Sequence, residues 1–325
     1  ARRGAARERA RAEGRRGARF PWESAADGAE VTPTTAYDLH GNLQQIRTGE
    51  QELHITADIA WAVGNHVAWT GDEVYLAGHG VELLVETARY WASRIEVDRD
   101  GGAHLRGVIG PDEYHENVDD NAFTNVMARW NLNSAADVCE RLRLGEPSEW
   151  HDWRDTGDRL VDGFDEARGV HEQFAGYFDL DPVLAASLGE PPVPASALLG
   201  RERIAEVQVI KQADVAMMHH LVPDAVRQGS LGADLDYYLP RTAHGSSLSP
   251  PITSSLLARA GDSNEAARWF EMSARFDLDN LSGTTAGGVH LATMGGLWQA
   301  FTQGFLGIRP TAEALLVDPR VPARW

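Results

Sequence analysis

The spacing of apolar positions along the chain is mostly that of helices. Apolar residues recur three and four positions apart, as the buried stripe of an α-helix requires. The pattern predicts helices over residues 54–70, 74–93, 119–144, 150–162, 208–221, 248–260, 265–277 and 291–305. Alternation typical of strands is scarce, and the proline-rich segment 188–199 is predicted to be a loop. Helices without interleaved strands indicate an all-α domain.

The two ends of the chain depart from this pattern. Residues 1–16 form a basic helical segment without a capping residue, and residues 307–325 turn extended and contain prolines. We interpret the chain as a fragment, with one helical domain over 1–306 and a linker over 307–325 into a further β domain.

Composition narrows the classes of partner. Apolar residues make up 43% of the chain, enough for a globular core, and the net charge is −18. That charge argues against nucleic acid and anionic membranes as partners, because both would be repelled. The apolar runs fall short of the roughly 20 residues that span a bilayer. Cys139 is the single cysteine, which fits a cytoplasmic protein.

The densest polar stretch is Gly110-Pro-Asp-Glu-Tyr-His-Glu-Asn117, which precedes a predicted helix. Crowded carboxylates favour a protonated acid near neutral pH, so this stretch is a candidate source of a general acid. The alternative is a solvated helix N-terminus, where acids favour the helix dipole. A zinc motif of the HExxH type would need histidine where Asp119 stands, so no metal is expected.

Two loops rich in hydroxyl groups are candidates for binding an anion. Thr242–Pro250 places a glycine and serines just before a helix, where backbone N–H groups and the helix dipole attract negative charge. Ser282–His290 is a second such loop and ends in a histidine. A serine N-cap and a plain surface loop are the respective alternatives.

Three shorter motifs have weaker individual signals. They are Lys211-Gln-Ala-Asp214 with the only lysine of the chain, Phe20-Pro-Trp-Glu-Ser24, and Gly49-Glu-Gln-Glu-Leu-His54. An aromatic ring beside a carboxylate suits a sugar subsite, because the ring stacks on the sugar face. Each motif alone is more typical of a solvated surface.

Taken in order, these motifs resemble glycoside hydrolase family 65, and the resemblance runs nearly from end to end. The family implies an (α/α)6 barrel between an N-terminal β-sandwich and a C-terminal β domain. The chain would then be that barrel, truncated at the N-terminus, with the start of a C-terminal β segment. Family members are mostly inverting phosphorylases of α-linked glucose disaccharides. The resemblance implies a homodimer, a disaccharide and inorganic phosphate as substrates, and no cofactor.

The resemblance also implies roles for individual residues. Glu113 would be the general acid. Lys211 and Gln212 would hold the glucosyl hydroxyls, with Trp22 and Glu23 nearby. Further substrate-binding candidates are Glu52, His115, Glu116 and Asn117, and the phosphate-binding candidates are Ser246, Ser247 and His290.

The choice between phosphorolysis and hydrolysis depends on a second carboxylate. An inverting hydrolase needs one to activate water, whereas phosphate is already an anionic nucleophile. No Asp or Glu occurs between Arg241 and Ala260, where the serines lie. We therefore favour phosphorolysis of a kojibiose, trehalose, maltose or nigerose type of disaccharide. The alternatives are a hydrolase with Glu52 or Glu116 as base, or an inactive sugar-binding fragment.

Overall fold

Helices dominate the computed structural model, which describes residues 2–37, 41–311, 314–323 and 325. The chain divides into two compact units. Unit 1 comprises Ala1–Phe164 and His171–Gly176, and unit 2 comprises Asp165–Val170 and Tyr177–Trp325.

Unit 1 is built on helices that pack against their neighbours in the chain. Its helices are α1 (Arg2–Ala12), α2 (Thr48–Gln51), α3 (Ile55–Thr70), α4 (Glu73–Tyr75), α5 (Val81–Arg94), α6 (Ala122–Leu142) and α7 (Pro147–Arg159). A π-helical turn, Leu76–Gly80, joins α4 to α5. Its antiparallel hairpins are β1 (Thr35–Tyr37) with β2 (Leu43–Gln45), and β3 (Glu96–Val97) with β4 (Ala103–His104). Helix α6 packs on α3, α5 and α7 and so forms the centre of this unit.

The start and end of α6 follow from its capping residues. Asn121 is extended, and its side chain accepts a hydrogen bond from Thr124 N at 2.9 Å. Arg143 ends the helix in the left-handed conformation, with φ 55°. Met127 and Leu132 on the buried face are fully enclosed, as are Tyr90 and Trp91 of α5. Burial of these large apolar side chains supplies most of the driving force for packing.

Strands β5 (Phe164–Asp165) and β6 (Val170–His171) lie where the chain leaves one unit and enters the other. Unit 2 contains α8 (Ala195–Leu199), α9 (Arg201–Ile204), α10 (Val215–Leu221), α11 (Leu231–Tyr238), α12 (Ser249–Ala260), α13 (Ser263–Arg275) and α14 (Leu291–Gln299). A π-helical turn, Ala300–Phe305, extends α14. The strands β7 (Ile308–Pro310) and β8 (Leu315–Val317) form an antiparallel hairpin. Short 3-10 turns lie at Tyr177–Asp179, Ala185–Ser187, Pro223–Ala225, Leu239–Arg241 and Thr285–Gly287.

Helix α12 is the most buried element of unit 2. It packs on α13 and on the π-helical turn, around a cluster that contains Leu257, Ala266 and Phe305. At Gly304 an added Cβ would lie 2.8 Å from Ser255 Cα. The close approach of these two backbones therefore requires glycine.

Most of the helices predicted from the apolar pattern are confirmed to within a few residues, and the extended tail is confirmed as β7 and β8. The helix predicted over 208–221 is wrong in its first half, because α10 begins only at Val215. Ile210 instead pairs with the 241–243 segment: Ile210 N donates to Arg241 O at 3.0 Å, and Ala243 N donates to Ile210 O at 2.8 Å. The loop predicted over 188–199 is also wrong at its end, where α8 forms.

The strand pairs before the tail, β1 with β2, β3 with β4 and β5 with β6, are another feature that the apolar pattern missed, because strands of two or three residues are too short to show alternation. The predicted domain limits, 1–306 and 307–325, stay a prediction. Within the described ranges, no helix has the length and apolar character needed to cross a membrane.

Candidate active site

Glu113 lies in a loop whose base is closed by backbone hydrogen bonds. Val108 and Val118 each donate to the other's carbonyl at 2.9 Å, which defines the acid loop as residues 109–117. Ile109 N donates to Gln51 O at 3.0 Å, so the loop is also fixed to the 48–54 segment. Residues 109–112 are buried, whereas Glu113 is only partly so. The backbone of the candidate acid is therefore held, and its side chain retains access to solvent.

Asp112 supports the acid loop from within. Asp112 Oδ2 lies 2.6 Å from His115 Nδ1 and accepts from Gln173 Nε2 at 3.0 Å. Asp112 and His115 are only 1% and 3% exposed, and the His115 ring packs against Phe174 with centroids 5.1 Å apart. These contacts hold His115 within the acid loop that carries Glu113. The role of His115 in sugar binding stays a prediction.

Asn117 ends the acid loop in a left-handed conformation, with φ 56°, which asparagine tolerates better than most residues. Gln51 joins it there. Asn117 N donates to Gln51 Oε1 at 3.1 Å, and Gln51 Nε2 donates to Asn117 Oδ1 at 3.3 Å. Glu116 lies 3.9 Å from Arg47, a loose ion pair at the surface. The two predicted motifs, 49–54 and 110–117, are thus brought together.

A charged cluster lies at the start of α3. His54 Nδ1 is 2.8 Å from Asp58 Oδ2, and His54 Nε2 is 3.4 Å from Glu52 Oε2. Burial lowers the pKa of His54, but the two carboxylates outweigh burial and raise that pKa to about 10. The imidazole is therefore charged at neutral pH. Its edges contact Trp22 and Phe123, with centroids 5.7 and 5.3 Å away.

The loop that carries Trp22 and Glu23 is tied to the same segment. Arg19 Nη2 donates to Gly49 O at 2.9 Å and to Glu50 O at 2.7 Å. Glu30 accepts from the backbone N–H groups of Trp22 and Glu23 at 2.9 and 3.1 Å, so one carboxylate shapes the turn. Trp22 is half-buried and Glu23 is exposed. The three motifs predicted in unit 1, residues 20–24, 49–54 and 110–117, are therefore in contact through the 49–54 segment.

In unit 2, the Lys211-Gln212 motif runs beside the serine loop, which we define as residues 244–249. Gly245 N donates to Lys211 O at 2.9 Å, and Ala213 N donates to Ser249 Oγ at 3.2 Å. Lys211 is partly exposed and Gln212 is 7% exposed. The pairing that prevents a helix before Val215 is what brings these two motifs together.

His244 anchors the serine loop. It is 2% exposed, has φ 51°, and packs on Trp269 with ring centroids 4.2 Å apart. Burial lowers the pKa of His244 to about 3, so the ring is neutral, and its Nδ1 contacts Ser249 Oγ at 2.9 Å. The loop thus has a neutral, apolar support.

The two predicted phosphate-binding serines are half-buried. Ser246 Oγ accepts from Leu248 N at 3.3 Å, and Ser247 O accepts from Thr293 Oγ1 at 3.0 Å. The second contact connects the serine loop to α14. The third predicted phosphate-binding residue, His290, immediately precedes that helix.

Asp277 holds His290 in place. His290 Nδ1 is 2.6 Å from Asp277 Oδ1, and His290 N donates to Asp277 Oδ2 at 2.9 Å. The side-chain hydrogen bond from His290 lowers the pKa of Asp277. His290 Nε2 lies 3.3 Å from Thr284 Oγ1 of the second hydroxyl-rich loop. The short contact at Nδ1 therefore fixes the ring orientation, and Nε2 makes only the longer contact to Thr284.

Sequence reasoning missed the supporting residues: Asp58, Asp112, Gln173, Trp269 and Asp277. Asp112 alone stood inside a recognised motif, where it could have been singled out. The others lie at least four positions from the residues that they hold, so no local pattern marks them.

A known protein family has a sequence model that matches most of this chain. Residues 2–299 match the model of the glycosyl hydrolase family 65 central catalytic domain. This chain belongs to glycosyl hydrolase family 65. The family resemblance inferred from the motifs is confirmed.

Curated relatives of this family-65 chain are named as phosphorylases. A kojibiose phosphorylase of Caldanaerobacter subterraneus subsp. tengcongensis is 35% identical over 99% of this chain and 44% of its own length. An α,α-trehalose phosphorylase of Thermoanaerobacter brockii is 32% identical over 99% and 42%. A 1,2-α-glucosylglycerol phosphorylase of Bacillus selenitireducens is 33% identical over 98% and 45%. The chain spans less than half the length of these relatives.

A solved structure agrees with the family assignment. A putative kojibiose phosphorylase from human microbiome superposes with a TM-score of 0.86 at 25% identity, over 98% of this chain and 47% of its own. The expected fold class, the all-α (α/α)6 barrel, is confirmed by this likeness together with the family match.

Proposed function

We propose that the protein containing this chain phosphorolyses an α-linked glucose disaccharide with inversion, giving β-glucose 1-phosphate and a free sugar. The observation that carries the proposal is the serine loop. It offers hydroxyl and backbone donors beside Lys211, and no carboxylate occurs in residues 242–259. Donors without an acid suit phosphate, because a carboxylate there would repel it. The phosphorylase names of the relatives support the same reading.

Glu113 acts as the general acid in this proposal. Its proton passes to the glycosidic oxygen as the bond to C1 of glucose breaks, and the second sugar leaves. The hydrogen bonds at Val108 and Val118, together with the Asp112–His115 contact, hold the acid loop in place. A preorganised acid has less motion to lose on reaching the transition state.

Phosphate attacks C1 from the opposite face, so the product is the β-phosphate. Ser246, Ser247 and His290 donate hydrogen bonds to the phosphate oxygens, while Lys211 and Gln212 hold the glucosyl hydroxyls. Asp277 orients the His290 ring for this role through the 2.6 Å contact at Nδ1. Because phosphate is already an anion, no general base is required.

Further candidates for sugar binding lie in unit 1. We propose that Trp22 stacks on a sugar face and that hydroxyls contact Glu23, Glu52, Glu116, Asn117 and His115. Inorganic phosphate is the co-substrate, and we expect no metal or further cofactor, a homodimer, and a cytoplasmic protein. Kojibiose, trehalose, maltose and nigerose are all candidate substrates.

Hydrolysis by the same fold is the second candidate, with Glu52 or Glu116 as the base. An inverting hydrolase uses a second carboxylate to activate water. Glu52 is 1% exposed and lies 3.4 Å from charged His54, whereas Glu116 is partly exposed and lies 3.9 Å from Arg47. Neither carboxylate belongs to the serine loop, where we propose that phosphate binds.

The decisive assay is a panel of these disaccharides, each with and without inorganic phosphate, with glucose 1-phosphate and glucose measured separately. We expect glucose 1-phosphate only when phosphate is present. Glucose released at an equal rate without phosphate would show a hydrolase instead.

The substitution Glu113→Gln tests the acid. We expect turnover to fall by at least about a hundredfold, since general acids contribute 10²–10⁴-fold, with disaccharide binding retained. Glu140→Gln, at an exposed glutamate of α6 outside the proposed site, is the matched control and should leave most of the turnover. Disaccharide binding without turnover in the unaltered protein would indicate a sugar-binding module.

A further inference from the structure

Unit 1 contains a pocket that none of the proposed active-site residues lines. Its volume is 340 Å³, at the small end of the range of about 300–1,000 Å³ that is typical of small-molecule sites. We name it the Tyr90 pocket. Its lining comprises Glu13, Arg15, Arg19, Glu50, Leu53, Tyr90, Arg94, Glu96 and Gly107.

Three buried hydrogen-bond donors on the lining lack a partner in the described part of the chain. They are the Tyr90 hydroxyl, Arg19 Nε and Arg94 Nη1. Tyr90 is 0% exposed and Arg19 is 8% exposed. Arg94 Nη1 forms a loose ion pair with Glu96 Oε1 at 3.6 Å, which is too long for a hydrogen bond. Leaving a buried donor unsatisfied costs about 1–3 kcal/mol, so three around one pocket indicate that something else accepts from them.

The charges around the pocket balance. Three guanidinium groups are matched by three carboxylates: Arg15, Arg19 and Arg94 against Glu13, Glu50 and Glu96. A pocket without net charge gives little attraction to a phosphate or sulfate ion. The three carboxylates can accept hydrogen bonds from the hydroxyl groups of a ligand. A phosphate or sulfate ion has few or no such donors. The donors and acceptors together suit a ligand that both accepts and donates.

The Tyr90 phenol is itself neutral and close to these charges. Burial raises the pKa of Tyr90 to about 12, with Arg19 and Arg94 acting to lower it and Glu13 to raise it. The hydroxyl can therefore donate to an acceptor at neutral pH.

We propose that the Tyr90 pocket binds a neutral polyol of monosaccharide size. Its hydroxyl oxygens accept from Tyr90, Arg19 and Arg94, and its hydroxyl hydrogens are donated to the surrounding carboxylates. None of the proposed active-site residues lines this pocket, and the proposal does not depend on the proposed reaction.

The test is a crystal structure of the protein soaked with D-glucose, alongside one soaked with sulfate. We expect glucose in the pocket within hydrogen-bond distance of Tyr90 Oη and Arg19 Nε, and no sulfate. Only ordered water in the pocket after the glucose soak would overturn the proposal, and so would sulfate in place of glucose.

Substitution of Tyr90 gives an independent measurement in solution. Tyr90→Phe removes only the hydroxyl, so we expect the melting temperature without sugar to be retained. Calorimetry measures the affinity for D-glucose in the unaltered protein and in the variant. We expect the affinity of this site to be roughly fivefold to tenfold lower in Tyr90→Phe. Tyr37→Phe, at an exposed tyrosine of β1, is the matched control. Glucose binding that is equal in the Tyr90→Phe and Tyr37→Phe variants would refute the assignment.

Discussion

Replacing Asp112 by asparagine should show how much of the candidate acid's position depends on one buried carboxylate. Asp112 is 1% exposed and holds His115 Nδ1 at 2.6 Å and Gln173 Nε2 at 3.0 Å through the same oxygen. Asparagine has nearly the same shape but no charge. If its oxygen takes the place of Oδ2, both bonds go to a neutral acceptor, and its NH2 group faces Tyr114 N, which donates to Asp112 Oδ1 at 3.3 Å. If its NH2 group takes that place, it faces the donors of both His115 and Gln173. The variant therefore weakens two hydrogen bonds and leaves a buried donor unsatisfied.

The expected loss of stability follows from these contacts. A hydrogen bond to a charged group contributes about 1.5–3 kcal/mol, and a buried donor left unsatisfied costs about 1–3 kcal/mol. Because asparagine weakens both bonds and leaves a buried donor without an acceptor, we expect the free energy of unfolding to fall by about 3 kcal/mol. We also expect kcat to fall with a smaller change in KM, since a displaced acid affects the transition state more than binding.

Urea unfolding followed by circular dichroism measures the free energy of unfolding. The slope of that free energy against urea concentration should be the same in all variants. Asp155→Asn is the matched control. Asp155 pairs with Arg159 at 2.8 Å, but its side chain is 70% exposed, and such surface pairs contribute about 0–1 kcal/mol. An equal loss of unfolding free energy in Asp112→Asn and Asp155→Asn would show that the buried contacts of Asp112 do not stabilise the acid loop.

Two further predictions concern the Gly17 turn and the charge of His54. Gly17→Ala would place a Cβ 2.1 Å from Glu86 O, at a φ of +73°. Gly14→Ala is the control, because Gly14 has a φ of +70° and nothing within 4 Å of an added Cβ. In urea unfolding, the free energy of unfolding should fall by at least about 2 kcal/mol more in Gly17→Ala than in Gly14→Ala. The pKa of His54 is raised from 6.5 to about 10 in the folded state, so its stabilisation is complete below pH 6.5 and disappears as pH rises through 10. Melting temperatures across that range should decline less in His54→Gln than in the unaltered protein, whereas His151→Gln, at an exposed histidine, should not alter the profile.

Local patterns explain which parts of the fold could be predicted. Helices α3, α6 and α12 carry long apolar stripes, and their ends have capping residues such as Asn121 that can be recognised in the sequence. The error at 208–214 arose because Ile210 has the apolar spacing of a helix but pairs with Thr242, far along the chain. Propensity is a weak guide where a distant partner offers backbone hydrogen bonds.

The sequence by itself determined the helical class, the family through its ordered motifs, and which residue types could carry the chemistry. These are properties of spacing and side-chain type. The tertiary structure alone decided which side chains hold the motif residues in place: Asp112 holds His115, Asp58 holds His54 and Asp277 holds His290. It also decided that His54 is charged and His244 is neutral. Burial and the distance to a carboxylate set a histidine's charge, and neither exists until the chain has folded.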